Sequence, residues 1–498
     1  MAAASPKVGN GFPKVTRTAK VVIIGGGMAG ISAAQRLKTA GWTDVKILEA
    51  RDRAGGRIWT QRLGPNTIEL GANWIHGSEG NPIYKLACDH NLLKNAARLQ
   101  TFNDRYRLRG DTFLPGGQVI DREIVQEFLE MYEELIEECS DFFLQKKTPQ
   151  HPDESVGNYL EQEFPKRLGL SYDNDDVKRL KMNLFKQHLK QETFTTGCHS
   201  MKEVGLQAFG EYVSFAGGNI NLPDGYDTVL DVLLKDIPPE CMLFNKQVKC
   251  VLWDQMVADN SSAERHSQHA ISIVCEDGEI FKADHVIVTV PLGFLKKHAS
   301  TFLQPPLPEK KLRSIAKMGF GVVDKIFLEF EKPFWEAGSP GFQLVCKEDE
   351  TDPRCPQEWY KKLYIFYVDP KAPNTVFAWL SGEEALHMEA LTEEEVAHTI
   401  VQVLRRFTGN DDIPLPQRLM RSRWGGDPLS CGSYSFIAVG ASGEDIDTIA
   451  EPLYSQHTRE PVVQFAGEAT HRQHHSTVHA AYLSGQREAD RLIHMCRA

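Results

Sequence analysis

The sequence predicts an α/β protein whose N-terminal part is a Rossmann-like unit. Residues 21–24 form a short, β-branched, apolar run, which is typical of a buried parallel strand. A glycine-rich turn, G-G-G-M-A-G over residues 25–30, follows at once, and residues 31–37 have the apolar pattern of a helix. A second apolar strand over residues 45–48 ends at an acidic residue. Strand, turn, helix, strand and acid in this order predict a dinucleotide-binding fold.

Each glycine of the turn has a separate task in such a fold. Gly25 permits the tight turn, Gly27 lets the backbone approach a pyrophosphate, and Gly30 lets the helix pack on the strand. The N-terminus of the helix offers unpaired N–H groups and a partial positive charge to the phosphates. The acidic residue is Glu49, which follows Gly30 by about 20 residues, the spacing expected of a carboxylate that binds a ribose.

The composition limits the class of protein. The chain has 498 residues, 41% hydrophobic and 25% charged, which predicts a globular protein of two or three domains. The formal net charge of −11 argues against a nucleic-acid partner, because phosphate binding needs clustered Lys and Arg. No run of about 18 apolar residues occurs, so we expect no membrane partner. We also expect a monomer located in the cytoplasm. A peroxisomal location is the alternative, although the C-R-A ending is not a good S-K-L address.

Metal chemistry is not indicated. The ten cysteines are scattered singly, without a C-x-x-C pair, which gives no zinc signature and favours a reducing compartment. His475 and His479 have the i, i+4 spacing of a metal-binding pair, but a complete catalytic site needs a third ligand. We therefore predict no metal.

The segment after Glu49 distinguishes between the possible dinucleotides. Residues 50–60 read A-R-D-R-A-G-G-R-I-W-T, in which the paired glycines and Arg57 suit a pyrophosphate. This segment resembles the flavin amine oxidases, whose G-G-R-x-x-T motif follows the acidic strand end. The resemblance implies FAD rather than NAD as the cofactor. A flavoprotein that uses NAD(P)H is disfavoured, because no second G-x-G-x-x-G occurs.

The resemblance extends to the C-terminal part of the chain and implies further cofactor contacts. Residues 463–470 resemble the family's final strand, and residues 476–485 resemble the helix whose N-terminus points at the isoalloxazine ring. The implied contacts are Val248 near the adenine, Trp424 beside the flavin, Glu468 near the ribityl chain, and Ser476 and Thr477 at the helix N-terminus. Ser433 stands where monoamine oxidases have a cysteine bonded to FAD, so the resemblance implies non-covalent FAD.

The resemblance also implies a domain organisation. It predicts an α/β protein in which a Rossmann-like FAD-binding domain is interleaved with an α+β substrate-binding domain, the amine oxidase fold. The FAD-binding domain comprises residues 20–95, 226–300 and 440–498, and the substrate-binding domain residues 96–225 and 301–439. Residues 1–19 read as a flexible arm without a signal-peptide core, and residues 259–268 as a surface hairpin.

One stretch resembles the polyamine oxidases within this family. Residues 69–77, E-L-G-A-N-W-I-H-G, place His76 where those enzymes have a histidine at the substrate channel. Lys325 stands where they have a lysine that holds a water near flavin N5. The resemblance therefore implies that His76 and Lys325 are catalytic. The alternatives are a structural histidine on a loop and a lysine that extends from a strand edge to solvent.

Four more side chains are predicted to bind the substrate. Glu192 corresponds to an acidic residue of the family's substrate site, although a lone charge is more often part of a solvated face. Phe366 lies in an apolar run and is a candidate either for the channel wall or for ordinary core. His475 replaces an aromatic residue, usually tyrosine, of the sandwich over the flavin, and Asn219 replaces an aspartate. These two departures leave the substrate preference open.

The predicted reaction is hydride transfer from the carbon beside a secondary amine to the flavin, with dioxygen as the second substrate and hydrogen peroxide as a product. The reacting amine must be neutral, because an ammonium has no lone pair to drive C–H cleavage. By resemblance, N1-acetylspermine or N1-acetylspermidine gives 3-acetamidopropanal and spermidine or putrescine. Oxidation of free spermine to spermidine and 3-aminopropanal is one alternative, and an FAD-binding scaffold that has lost catalysis is another.

Overall fold

The structure, a computed structural model, describes residues 19–94, 110–254, 271–346, 356–369, 371–456 and 459–495. The predicted hairpin at 259–268 lies outside these ranges, as does the predicted arm at 1–19 apart from its last residue. Within them, no helix combines the length and the hydropathy that crossing a membrane requires. The cysteines in these ranges form no disulfide.

Twelve α-helices occur within the described ranges. In chain order they are α1 (Met28–Thr39), α2 (Pro82–Asp89), α3 (Arg122–Leu144), α4 (Val156–Leu170), α5 (Asp175–Thr196), α6 (Thr228–Leu234), α7 (Leu292–Phe302), α8 (Glu309–Lys317), α9 (Glu383–Ala390), α10 (Glu393–Thr408), α11 (Gly443–Ala450) and α12 (Val478–Met495). Several begin at a side-chain cap, as at Asn81, Ser155 and Thr392, whose oxygens accept N–H bonds from the first turn.

The strands of the described residues form two large sheets and four smaller ones. They are β1 (Val21–Ile24), β2 (Val45–Leu48), β3 (Thr60–Leu63), β4 (Asn66–Glu69), β5 (Ile75–His76), β6 (Asp111–Leu114), β7 (Gln118–Val119), β8 (Asn219–Ile220), β9 (Met242–Leu243), β10 (Val248–Leu252), β11 (Ile271–Cys275), β12 (Ile280–Ala283), β13 (His285–Val288), β14 (Leu303–Gln304), β15 (Gly319–Gly321), β16 (Val323–Glu329), β17 (Gly341–Leu344), β18 (Ile365–Val368), β19 (Thr375–Ser381), β20 (Arg418–Arg421), β21 (Tyr434–Phe436), β22 (Leu453–Tyr454) and β23 (Pro461–Phe465).

The predicted Rossmann-like unit lies in a six-stranded sheet with the order β22-β23-β13-β1-β2-β9. Strand β1 pairs in parallel with both β13 and β2, and all four of its residues are buried. Parallel strands that are covered on both faces are apolar throughout, which explains the V-V-I-I run. The six strands come from all three segments assigned to the FAD-binding domain. The boundaries of those segments stay a prediction.

The second large sheet has seven strands, in the order β20-β16-β19-β18-β17-β6-β7. Its central strands β16, β19 and β18 are antiparallel neighbours, and every residue of β16 is buried. One face packs on α3, α4 and α5 through Phe327, Tyr367 and Phe377. The opposite face packs on α10 through Ile326 and Phe366. Successive residues of each strand therefore belong to different cores.

Candidate active site

A cavity of about 760 Å³ lies between the two large sheets. Its lining includes the carboxyl ends of β1 and β2 and residues of β16, β18 and β19. Ligands of open parallel sheets usually bind outside the carboxyl ends of the strands. The predicted site residues that line the cavity are Gly25, Gly27, Glu49, Arg57, His76, Asn219, Val248, Lys325, Trp424, Glu468, His475, Ser476 and Thr477.

The glycine-rich turn leaves room for a ligand against the backbone. Gly25 has a φ of +108°, and a Cβ there would lie 2.5 Å from Thr289 Oγ1, so the turn requires glycine. A Cβ on Gly30, which does not line the cavity, would lie 2.0 Å from the Gly25 carbonyl oxygen, so α1 can pack here only without a side chain. A Cβ on Gly27 would meet no described atom closer than 3.8 Å and would occupy the space of the cavity. This open cradle fits a pyrophosphate.

The other groups around the cradle also suit a dinucleotide. Helix α1 begins at Met28 after Gly27, which provides no side-chain cap, and its first residues Met28 and Ala29 line the cavity. The free N–H groups of such a helix end attract phosphate. Glu49 accepts N–H bonds from Gly26 at 2.6 Å and from Arg51 at 2.8 Å, which hold its carboxylate at the cavity wall.

A second helix end reaches the cavity through Glu468. This carboxylate forms an ion pair of 3.0 Å with Arg57 and accepts hydrogen bonds from Ser435 Oγ at 2.6 Å and from Ser476 N at 2.8 Å. Ser476 lies just before α12, and the hydroxyl of Thr477 accepts the N–H of Ala480 at 3.1 Å. The positive end of α12 is thereby held at the cavity wall.

Lys325 is a buried lysine on β16 that lines the cavity. Its ammonium nitrogen donates to the carbonyls of Glu69 and Gly71, both at 2.7 Å, and lies 4.5 Å from the ring centre of Trp379. Burial lowers the pKa of Lys325 to about 7, although the Glu69 carboxylate acts in the opposite direction. The amine can therefore gain or lose a proton near neutral pH, which a solvent-exposed lysine cannot.

Trp424 is held beside the cavity by a buried carboxyl group. Its indole N–H donates to the Leu70 carbonyl at 3.0 Å, and its backbone N–H donates to Asp324 Oδ1 at 3.0 Å. The Ser422 hydroxyl donates to the same oxygen at 2.7 Å. Asp324 is fully buried, and burial raises its pKa well above the usual range of an aspartate.

His76 and Asn219 lie opposite each other in the short antiparallel pair β5–β8. Their side chains meet at 2.8 Å between His76 Nδ1 and Asn219 Oδ1. An aspartate at position 219 would give the imidazole a negative partner, whereas the amide gives it a neutral one. The replacement of an aspartate by Asn219, noted from the sequence, therefore removes a negative charge from the cavity wall.

His475 is a buried residue of the loop before α12, and it lines the cavity. Its Nδ1 lies 3.1 Å from the Arg472 carbonyl oxygen, and its ring packs edge-on against Tyr212 with centres 5.5 Å apart. Burial lowers the pKa of His475 below that of an ordinary histidine. His479, by contrast, does not line the cavity, and the described residues contain no group of metal-ligating side chains.

Two predicted substrate residues do not line the cavity. Phe366 is fully buried on the α10 side of its sheet, where it stacks on Phe342 with ring centres 5.5 Å apart. Tyr367 lines the cavity instead, because successive strand residues point to opposite faces. Glu192 is fully buried, and the preceding residue of α5, Gln191, lines the cavity. At these two places the residues that line the cavity are therefore Tyr367 and Gln191, not the predicted Phe366 and Glu192.

Sequence reasoning missed the tryptophans of the cavity wall. Trp379 stacks on Trp74 and on Phe194, with ring centres 5.6 Å apart in both pairs, and all three rings line the cavity. Trp379 lies directly opposite Lys325 in the β16–β19 register. Trp379 lies two residues after Phe377 in an alternating strand, so the sequence could have predicted that both rings share one face. Nothing in the sequence, however, shows that this strand pairs with the strand that carries Lys325.

The nucleotide cradle and the aromatic cavity beside it define a dinucleotide-dependent oxidoreductase. The chain belongs to the family of flavin containing amine oxidoreductases, whose model matches residues 28–493. It is 40% identical over 492 residues to the peroxisomal N(1)-acetyl-spermine/spermidine oxidase of Bos taurus, covering 96% of this chain and 95% of that protein. The Homo sapiens protein of the same name is 38% identical over 489 residues, with 95% and 94% covered. FAD as the predicted cofactor is confirmed by this family membership.

Solved structures support the fold. Cyclohexylamine oxidase from Brevibacterium oxydans matches with a TM-score of 0.66 at 17% identity, covering 97% of this chain and 100% of that one. Wild-type putrescine oxidase bound to putrescine matches with a TM-score of 0.63 at 19% identity, covering 96% and 100%. The predicted α/β amine oxidase fold, with a Rossmann-like FAD-binding domain and an α+β substrate-binding domain, is thereby confirmed.

The cavity residues divide into two chemical groups. Gly25, Gly27, Glu49 and Arg57, with the N-termini of α1 and α12, would hold FAD along the cradle. Bound FAD supplies a two-electron acceptor for a C–H bond beside an amine. The remaining lining includes many aromatic rings, together with the amine of Lys325 and the imidazoles of His76 and His475. Such a lining can bind the apolar stem of an amine, exclude water and exchange protons.

Proposed function

We propose that this flavin-dependent amine oxidoreductase oxidises polyamines, and that N1-acetylspermine and N1-acetylspermidine are its preferred substrates. The products are 3-acetamidopropanal with spermidine or putrescine, and dioxygen is the second substrate. The two mammalian relatives, named for the oxidation of N1-acetylated spermine and spermidine, support this substrate class.

The observation that carries the preference is the charge of the cavity wall. Among the described residues, the carboxylates that line the cavity are Glu49 and Glu468. Glu49 already accepts two backbone N–H groups, and Glu468 is paired with Arg57 and two hydroxyl or amide donors. A buried ammonium is costly without a partner. Acetylation replaces one terminal ammonium of spermine by a neutral amide, so the acetylated substrate suits this wall better.

In the proposed reaction the protein prepares the amine. The rings of Trp74, Trp379 and Tyr367 bury the methylene chain and disfavour the charged form of the nitrogen. Neutral amide groups at Asn219 and Gln191 can hydrogen-bond an acetamide without adding charge. The buried amine of Lys325, held by two carbonyls, positions a water for the hydrolysis that releases aldehyde and amine.

Oxygen consumption by the purified holoprotein, with N1-acetylspermine and free spermine in parallel, tests the proposal. We expect a kcat/KM at least about tenfold higher for the acetylated substrate, because free spermine brings one more unpaired charge to this wall. A tenfold ratio corresponds to a free-energy difference of about 1.4 kcal/mol. Preference for free spermine would replace the acetylated assignment by a spermine oxidase. Absence of peroxide with every amine would instead indicate a flavin-binding scaffold without catalysis.

The compartment and the oligomeric state are proposed on the sequence alone, as a cytoplasmic monomer. The names of the two mammalian relatives include a peroxisomal location, which is a property of those proteins. Fractionation of cells that express the untagged chain, with catalase as the peroxisomal marker, tests the compartment. Sedimentation of the purified protein tests the oligomeric state, for which a monomer has a mass of 56.0 kDa.

A further inference from the structure

His475 has one ring nitrogen bound to the protein and one left over. Nδ1 lies 3.1 Å from the Arg472 carbonyl oxygen, which can only accept a hydrogen bond. The proton of the neutral imidazole is therefore on Nδ1, and Nε2 carries a lone pair. Nε2 has no partner among the described residues, while the ring lines the cavity and packs edge-on against Tyr212. The structure thus presents a neutral nitrogen base to the substrate space.

The surroundings of His475 keep the base neutral at rest and accept its positive charge once it is protonated. Burial lowers the pKa of its imidazole, and the neighbouring His474 acts in the same direction. The carboxylates of Glu468 and Glu211 act in the opposite direction, because they attract an imidazolium. Glu211 is in turn paired with Arg472 at 2.6 Å, so this charge is fixed in place.

The other titratable groups of the cavity are less suited to this task. Both carboxylates of the described lining, Glu49 and Glu468, are engaged by hydrogen bonds. Lys325 donates two of its N–H groups to carbonyls, which leaves one hydrogen-bonding position on Nζ for a substrate or a water. His76 bonds through Nδ1 at 2.8 Å to the neutral amide of Asn219, which does not stabilise an imidazolium as the carboxylates of Glu468 and Glu211 do for His475.

We propose that Nε2 of His475 is the base that removes the proton from the substrate's secondary ammonium. The inference rests on the proposed function. In this step the ammonium N–H bond breaks, its electron pair stays on the amine nitrogen, and a new N–H bond forms at Nε2. The imidazolium keeps its Nδ1–H bond to the Arg472 carbonyl. The amine gains the lone pair that oxidation of the adjacent carbon requires.

The first test compares the pH profiles of wild-type holoenzyme, H475F and H474F with N1-acetylspermine. H475F keeps a ring but has no base, and we expect kcat/KM at pH 7.5 to fall by about 10²–10⁴-fold. This deficit should shrink as the pH approaches about 10, where the free amine deprotonates in solution. His474 bonds to the Val213 carbonyl and does not line the cavity, so H474F keeps the base and should keep kcat/KM at pH 7.5 near the wild-type value. Because His474 lowers the pKa of His475, its loss should only move the acidic limb of the profile toward higher pH. H475Q, which also lacks the base, serves if H475F does not retain flavin.

A second readout does not depend on turnover. In holoenzyme labelled with ¹⁵N-histidine, the signal that disappears in H475F or H475Q should report a protonated Nδ1 and an unprotonated Nε2 at pH 7.5. A protonated Nε2 overturns the proposal, and so does an H475F or H475Q variant that keeps the wild-type pH profile. A wild-type protein that oxidises no polyamine would overturn the proposed function instead, while the ¹⁵N signal would still decide the state of the ring.

Discussion

Two lysines of this protein are buried in nearly the same chemical surroundings but in different places. Lys325 donates to two backbone carbonyls at the cavity, and Lys311 donates to the carbonyls of Thr448, Ile449 and Glu451 at the end of α11. Burial lowers the pKa of each to about 7. Only Lys325 lines the cavity. Comparing variants of the two lysines therefore distinguishes a role in the reaction from a role in stability.

At the residue scale, we expect K325M to lower kcat with N1-acetylspermine by about 10²-fold, because it removes the amine that positions water. The matched variant K311M should lower the free energy of unfolding, because buried carbonyls at the end of α11 lose their donor. Its kcat per bound flavin should stay near that of the wild type. Steady-state kinetics normalised to flavin absorbance measure both. Equal losses of kcat in the two variants would contradict a special role for Lys325.

At the element scale, the alternation of β18 determines which side chain meets the substrate. Phe366 is in the core shared with α10, and Tyr367 is at the cavity. We expect F366L to lower the free energy of unfolding by about 1–3 kcal/mol through imperfect packing and to leave KM unchanged. Y367L should instead raise KM for N1-acetylspermine. Urea unfolding and steady-state kinetics on both variants test these expectations. A raised KM in F366L with an unchanged KM in Y367L would refute the assignment of the two faces.

The start of α1 gives a second prediction at this scale. Gly27 has an extended backbone that any residue adopts, and its Cβ position is open. We therefore expect G27V to fold but to lose FAD, because the side chain fills the cradle. The ratio of absorbance at about 450 nm to that at 280 nm measures the flavin content. G169V, at an open position on the surface of α4, is the control and should keep its flavin.

At the scale of the whole molecule, the cavity joins residues that are far apart in the chain. Arg57 pairs with Glu468, and Lys325 bonds to the carbonyls of Glu69 and Gly71. The stability of the assembled molecule therefore depends on buried groups that only the complete fold brings together.

Lys311 makes this dependence measurable as a function of pH. Its pKa is about 7 in the folded protein and near the ordinary 10.5 in the unfolded chain. Between these values the unfolded chain binds a proton that the folded protein does not, so this lysine makes the free energy of unfolding rise with pH. We expect the difference between wild type and K311M to increase by up to about 1.4 kcal/mol per pH unit from pH 7 to 9. A difference independent of pH would show that Lys311 is charged in the fold.

The dinucleotide turn could be predicted because its causes are local. A positive φ at Gly25 and the close approach of Gly30 to the Gly25 carbonyl act within a few residues. Motifs of this kind, together with a family resemblance, were enough for the cofactor, and most of the residues predicted for the site line the cavity. The predictions of Glu192 and Phe366 were each one residue away from a side chain that lines the cavity. The face that a side chain presents depends on which core its element packs against.

The sequence by itself determined the strand–turn–helix unit, the acid at Glu49 and the membership of the flavin amine oxidoreductases. Short-range sterics and hydrogen bonding specify the strand–turn–helix unit wherever the segment is placed, and the motifs along the chain specify the family. Only the tertiary structure decided that Tyr367 and Gln191 line the cavity and that His475 lines it with Nδ1 against the Arg472 carbonyl. Burial, protonation and the face that a side chain presents are set by contacts across hundreds of residues, and no local pattern encodes them.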